Sequence, residues 1–459
     1  MKTFSVGTRG FFGMAVAVTI FFFATNFPLH AAALQPKRFV TRNGMTLLIL
    51  PQPSLPIVSV QVLVRAGAVL DPEAKAGLAN MTASLLEEGT VSRSATEISE
   101  AVDFIGADFG ASASKDYSTV ELRVLKKDIE TGFDVLSDVL MHPRFDEKEL
   151  ARVQKQVLGG IQAEQDQPGA IAMRAFQEVV YRSHPYRHAV VGNEVSVPNI
   201  TRADLVDFHE KYYRPNNTII AVVGDVTEAS AQKIVETYFG PWRPGKTTFP
   251  KVEPLPPLQN KVLKRIDKDL TQATVILGHP GIQRANPDYD AVLVMNYILG
   301  GGGFSSRFMA DIRDNRGLVY SIYSRFSTHA LPGDFSVSFQ TKSGSTQEAI
   351  TGVLQEMTAM QKTPVTEVEL AEAKDYLAGS FPLRIDTTDK VATLLTAIEF
   401  YGLGLDYFET YAKAIHRVSQ ADVLRVAKKY LDPAHYALVV VGKQAEINLS
   451  SSESGVSGP

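Results

Sequence analysis

The chain contains no cysteine among its 459 residues. That absence excludes disulfides, thiolate metal ligands, a cysteine nucleophile and an N-terminal lipid-bearing cysteine. Any metal would have to be held by His and carboxylates, and His is scarce as well, with 9 residues scattered along the chain. A surplus of one charge is also lacking, because 46 Lys and Arg stand against 50 Asp and Glu, for a formal charge of −4. So balanced a chain has no basic footprint for nucleic acid, and no nucleic-acid partner is expected. After the N-terminal segment no stretch approaches the roughly 18 consecutive apolar residues of a membrane-crossing helix. Neither a Gly-x-Ser-x-Gly elbow nor a Gly-x-x-x-x-Gly-Lys-Ser/Thr loop occurs, so serine-hydrolase and P-loop chemistry have no sequence support.

What is present is ordinary globular material, 45% hydrophobic and 21% charged, in a chain long enough for about two to four domains. The N-terminus reads as an address. Lys2 and Arg9 precede the apolar stretch Phe11 to Ala24, and Ala31, Ala32 and Ala33 follow. This is the pattern of a signal peptide over residues 1–33, cleaved near Ala33, with an uncleaved anchor as the alternative. The mature chain is then expected in an exported compartment, most simply a bacterial periplasm, with no other membrane attachment.

Pro241, Pro244, Pro250, Pro254, Pro256 and Pro257 lie close together, a density that neither a helix nor a central strand tolerates. Residues 241–260 therefore read as a linker between a first unit, 34–240, and a second, 261–445. The same pattern occurs in both. Thr201 to Gly224 aligns without gaps onto Ser419 to Gly442, with eight of 24 positions identical, Asp204/Asp422, Tyr212/Tyr430, Pro215/Pro433 and Gly224/Gly442 among them. A duplicated unit is the economical reading. Within each unit strand and helix periodicities alternate. Val58, Val60, Val62 and Val64 predict a half-buried strand, as do Val120, Leu122 and Val124, and Phe335, Val337 and Phe339. Helices are expected over Glu73 to Glu88, after the Ser94/Glu97 capping box, and over Asp146 to Gln165. Asn43-Gly44 signals a hairpin. The fold class is α+β, each unit a mostly antiparallel sheet covered by helices. The Ser/Gly-rich tail, 446–459, is expected to be unstructured.

Several segments together resemble the pitrilysin/insulinase family of zinc metallopeptidases, whose metal motif is His-x-x-Glu-His. They are GLANMTASLLEEGT (Gly77 to Thr90), QDQP (Gln165 to Pro168), HPYRHAVVG (His184 to Gly192), YYRPNNTIIAVVGDV (Tyr212 to Val226) and LGGGGFSSRFMADIRDNRGLVYSIYS (Leu299 to Ser324). The resemblance runs from Phe39 to Lys443. It implies two homologous units facing each other as half of a clam-like chamber.

The chain departs from the family at the metal. Where the resemblance places two His ligands and the general-base Glu, it has Asn80, Ser84 and Ala83, and where it places a third ligand on a later helix it has Gly160. Glu164 is the nearest acidic side chain, a full turn out of register. No metal or other cofactor is expected in this chain. His184 and His188 stand four apart, but Pro185 breaks the helix that would bring them together. In the second unit Arg313 and Tyr320 fall on the family's Arg/Tyr pair, which implies contacts to the substrate and to the oxyanion of peptide hydrolysis. Gly301, Gly302, Gly303 and Phe304 just before it are expected to approach substrate or partner. The resemblance thus implies a chain inactive alone, acting with a zinc-bearing paralogous subunit on extended peptides. A non-enzymatic peptide-binding or scaffold protein on the same fold is the alternative.

Overall fold

The computed structural model describes residues 34–450 and 456–457. The segment read as a signal peptide and most of the Ser/Gly-rich tail lie outside the described residues. The first sheet comprises β1 (Lys37–Val40), β2 (Thr46–Pro51), β3 (Ile57–Val64), β4 (Asp108–Ala113), β5 (Ser118–Leu125) and β6 (Thr218–Gly224), in the order β1-β2-β6-β3-β5-β4. The second comprises β7 (Val262–Asp267), β8 (Gln272–Pro280), β9 (Val319–Ser327), β10 (Asp334–Lys342), β11 (Ala437–Gly442) and β12 (Val456–Ser457), in the order β12-β7-β11-β8-β10-β9. Five strands of each sheet share one topology, and the outermost ones differ, β1 pairing antiparallel with β2 and β12, the last strand, parallel with β7. In both sheets the ladder is antiparallel except on one side, where β2 runs parallel to β6 and β7 runs parallel to β11 and β12.

The aligned repeat explains itself physically. Thr201 caps helix α6 (Arg202–Tyr212) and Ser419 caps α13 (Gln420–Tyr430), each with the aspartate three residues on, Asp204 or Asp422, closing a capping box. The helix then feeds the apolar strand β6 or β11 at the middle of its sheet. Identity therefore persists where a cap, a turn and a strand buried on both faces are all required. Asn43-Gly44 makes the turn between β1 and β2, with Gly44 at φ +87°.

The remaining helices of the first half are α1 (Leu78–Ser84), α2 (Ala95–Phe104), α3 (Ile129–Met141), α4 (Glu147–Glu164), α5 (Pro168–Tyr181) and α7 (Glu228–Phe239). Those of the second are α8 (Tyr289–Asn296), α9 (Thr346–Lys362), α10 (Glu367–Gly379), α11 (Thr388–Tyr401) and α12 (Tyr407–Arg417). The helix expected over Glu73 to Glu88 is shorter than its apolar periodicity suggested. A 3-10 turn at Glu73–Lys75 precedes it, and Gly77, at φ +99°, breaks the path before α1 begins. The Ser94/Glu97 capping box and the helix up to Glu164 form where expected.

Two helices are exchanged between the halves. Helix α5 lies against β8 and β11 of the second sheet, where Ala172, Ala175, Phe176 and Val180 pack with Ile276, Val439 and Val441. Helix α11 lies against β3 and β6 of the first, where Val391, Ala392 and Leu395 pack with Leu63, Ile219 and Ala221. Each sheet thereby has helices on both faces. This corrects the expectation of a half-buried β3: Val58 through Val64 are all buried, because the face that alternation would leave to water is covered by α11. Each large side chain sealed in this way contributes about 1.5–3 kcal/mol. At the chain's end Ile447 is buried in the second core and the Ser450 N–H donates to Gln347 at 2.7 Å. Packing thus continues past 446, where composition alone suggested that structure stops.

Candidate active site

The metal helix of the resemblance is α1. Its entry is held by Asp71, whose buried carboxylate accepts from the Gly77 N–H at 2.8 Å and the Ala79 N–H at 2.9 Å. Burial drives this carboxyl up to about 7, against the pull of those amides. On α1, Asn80 and Ser84 are partly exposed one turn apart and Ala83 is fully buried. Gly160 lies on the exposed side of α4, and a Cβ there would meet nothing within 4 Å. An amide, a hydroxyl, a methyl group and an absent side chain do not make a zinc site. Glu164 does not substitute, since it pairs with Arg174 at 3.1 Å. The donor set at this place does not fit the family's zinc. His184 instead accepts the Tyr186 N–H at 3.1 Å, capping the turn Pro185–Arg187, while burial holds both His184 and His188 below the ordinary imidazole range.

The second unit is built differently at the equivalent place. Helix α8 runs into a π-helical turn, Tyr297–Gly301, and a second π-helical segment, Met309–Asn315, leads to β9. π-Helical turns are rare and tend to mark functional sites. The glycines make this path possible by leaving out side chains that would crowd it. A Cβ on Gly301 would sit 2.6 Å from the Asn296 amide, and one on Gly302 would sit 2.7 Å from the Tyr297 carbonyl oxygen. Both therefore face their own chain. Gly303 differs, with φ +58° and open space around it. The turn is tied to the sheet by Asn296, which donates to the Ser324 carbonyl at 3.1 Å and accepts from the Ser324 hydroxyl at 2.9 Å.

This path brings Phe304, Arg313 and Tyr320 together at the sheet's edge strand, β9. The Arg313 Nε donates to the Tyr320 carbonyl at 2.9 Å, and another guanidinium nitrogen pairs with Asp314 at 2.6 Å. The guanidinium carbon lies 5.0 Å from the Phe304 ring centroid and 5.9 Å from that of Tyr320, both cation–π distances. Phe304 and Tyr320 are 73% and 86% exposed, unusual values for aromatic residues. The cluster offers a fixed guanidinium, a solvent-facing phenol and a bare aromatic face. Such groups can donate to a peptide carbonyl and cover an apolar side chain. The sequence named all three residues; it did not reveal Tyr323, 55% exposed on the same strand, or that π-helical geometry sets the approach of Arg313.

Fold and site together define a duplicated α+β scaffold with Asn80, Ala83 and Ser84 on α1 of its first half and Phe304, Arg313 and Tyr320 at the edge of its second sheet. Comparison with known proteins gives the family. Residues 47–194 match the family model of the insulinase family, peptidase family M16, and residues 199–377 match that of the peptidase M16 inactive domain. The chain belongs to peptidase family M16. A solved peptidase M16 inactive domain from Pseudomonas fluorescens is similar at 30% identity and a TM-score of 0.84, covering 93% of this chain and 100% of that one. A protease from Helicobacter pylori shares the fold at 20% identity and a TM-score of 0.82, over 89% of this chain and 100% of its own. Among curated relatives, an uncharacterized zinc protease of Bacillus subtilis, YmxG, is 27% identical over 77% of this chain and 85% of its own length. One of Mycobacterium bovis is 28% identical over 89% of this chain and 94% of its own.

Proposed function

We propose that this chain is the non-metal subunit of an exported, heteromeric M16 peptidase, paired with a zinc-bearing paralogue and acting on extended peptides. The observation that carries this reading is a contrast within one chain. The helix that would hold zinc carries Asn80, Ala83 and Ser84, while a half-buried Arg313 and an exposed Tyr320 stand together at the edge of the second sheet. In the complex, Arg313 would hold the substrate backbone and the Tyr320 hydroxyl would donate to the oxyanion of the attacked carbonyl. The partner would supply the metal and the general base. Phe304 would flank the peptide beside the guanidinium.

The test is reconstitution with a zinc-bearing paralogue from the same cell. Chelator-sensitive peptide hydrolysis is expected only from the pair, with Arg313→Ala and Tyr320→Phe each lowering kcat/KM by about 10²- to 10³-fold, the typical loss of one oxyanion donor. Unchanged turnover in both variants removes their role. No hydrolysis from the pair, with peptide binding retained, would make the chain a binding or scaffold protein.

A further inference from the structure

Among the described residues, strand β4 is an edge of the first sheet, paired only with β5. Edge strands present unpaired N–H and C=O groups, and an extended peptide is recognised by pairing with them. On β4 one such donor is already occupied. The Ala111 N–H donates to the Glu87 carboxylate at 2.6 Å, so it points away from β5 toward the open side. In antiparallel pairing successive residues alternate between facing the partner strand and facing away. Phe109 and Ala113 therefore present their amides on the same outer side, with Ala111 at the centre of the row. Glu87 reaches it from the segment just after α1, where Leu85 and Leu86 are buried and fix the backbone. The carboxylate is half-buried, and burial holds it above the ordinary carboxylate range although the Ala111 N–H pulls the other way. Its oxygen stands where the carbonyl of an added strand would stand. Beside it opens a cavity of about 650 Å³ lined by Glu87, Phe109 and residues of α2, with room for the side chain to swing aside.

We propose that Glu87 is a built-in competitor for strand addition: an extended peptide pairs with β4 only by displacing this carboxylate from Ala111. The proposal rests on reading the chain as a peptide-binding subunit, and adds that its first-sheet edge is held closed by its own side chain. A carboxylate accepting from a backbone amide is roughly twice as strong as a neutral acceptor. Peptide must therefore bring several backbone hydrogen bonds to win, which favours long extended segments over short ones.

The experiment measures binding of a fluorescent twelve-residue extended peptide to the full chain, wild type, Glu87→Gln and Glu87→Ala, with an analogue N-methylated at alternate residues as control. Binding should tighten at least about tenfold in Glu87→Ala, given the typical strength of a hydrogen bond to a charged group, and by less in Glu87→Gln, which keeps a neutral acceptor. The N-methylated analogue should gain nothing. Equal affinity in all three chains overturns the Glu87 proposal and leaves the peptide-binding reading standing. No binding to any of them overturns both. Hydrogen exchange supplies a ligand-free arm that any folded sample permits: the Ala111 amide should exchange faster in Glu87→Gln than in wild type, and equal rates would overturn the proposal.

Discussion

The Tyr186 hydroxyl donates to the buried carboxylate of Asp116, and both groups of this first-half pair accept backbone N–H bonds from the second half of the chain. Asp116 sits at the tip of the β4–β5 hairpin and also accepts the Ala330 N–H, at 2.9 Å, from the β9–β10 loop. Tyr186 in turn accepts the Leu331 N–H at 3.2 Å. Lys115 completes the joint by donating to the Tyr186 carbonyl, and burial lowers its ammonium to about 8. Replacing Asp116 by Ala strands a phenol and a backbone amide inside the joint. Each stranded group costs about 1–3 kcal/mol, so urea unfolding of Asp116→Ala should show a loss of about 2–6 kcal/mol. Tyr186→Phe keeps the ring packing and should cost less. A variant as stable as wild type would mean that the halves are held by the exchanged helices alone.

How much of this was legible beforehand depended on whether the signal was local. The repeat, the caps at Ser94, Thr201 and Ser419 and the hairpin at Asn43-Gly44 depend on residues within a few positions of one another, and they read directly. The exchange of α5 and α11 did not read, because an apolar helix face carries no mark of which sheet it will cover. For the same reason β3 seemed half-buried. At the site, the family resemblance pointed to Arg313, Tyr320 and Phe304, but the glycines' steric role depended on contacts with Asn296 and Tyr297 in a π-helical path. Glu87 gave no signal, since a glutamate after a short helix is ordinarily a solvated charge.

The glycine run makes a prediction that separates crowding from backbone strain. Gly302→Ala drives a methyl group to within 2.7 Å of the Tyr297 carbonyl, and the backbone must shift. A cost of about 1–3 kcal/mol is expected, along with displacement of Phe304 from Arg313. Gly303→Ala meets no atom within 4 Å and suffers only its φ of +58°, a penalty of about 1–2 kcal/mol. Thermal melting should therefore rank Gly302→Ala as the less stable. The reverse order would mean that the left-handed residue, not the close approach, sets this path.

The reading of α1 as the counterpart of the family's metal helix can be tested by introducing ligands. Asn80 and Ser84 lie one turn apart on α1, which packs beside α4, and Gly160 has free space at its Cβ. A chain carrying Asn80→His, Ser84→His and Gly160→Glu should bind one zinc ion in a calorimetric titration. Omitting Gly160→Glu leaves two ligands, and affinity should fall at least tenfold, consistent with the need for three protein ligands. The parent chain should give no stoichiometric uptake at this place. Equal uptake by parent and variant would refute the reading of α1.

His209 supplies a pH prediction with a definite sign. Its Nε2–H donates to the Leu140 carbonyl at 2.9 Å, and its ring stacks on Tyr213 with centroids 4.8 Å apart. Burial lowers this imidazole from an ordinary 6.5 to about 4, more than the Leu140 carbonyl raises it. Between those values the unfolded chain binds a proton that the folded chain refuses. His209 thus costs stability in acid, and the penalty disappears as pH rises from about 4 to 6.5, a contribution of about 3 kcal/mol by linkage. Asp71 acts in the opposite direction, because its raised carboxyl favours folding in acid and that advantage fades as pH climbs toward 7. The wild-type profile mixes the two, so the informative quantity is a difference. Urea unfolding of wild type and His209→Gln at pH 4.5 and pH 7 should show wild type gaining more stability than the variant over that interval. Identical gains would mean that His209 is protonated in the folded chain as readily as in the unfolded one.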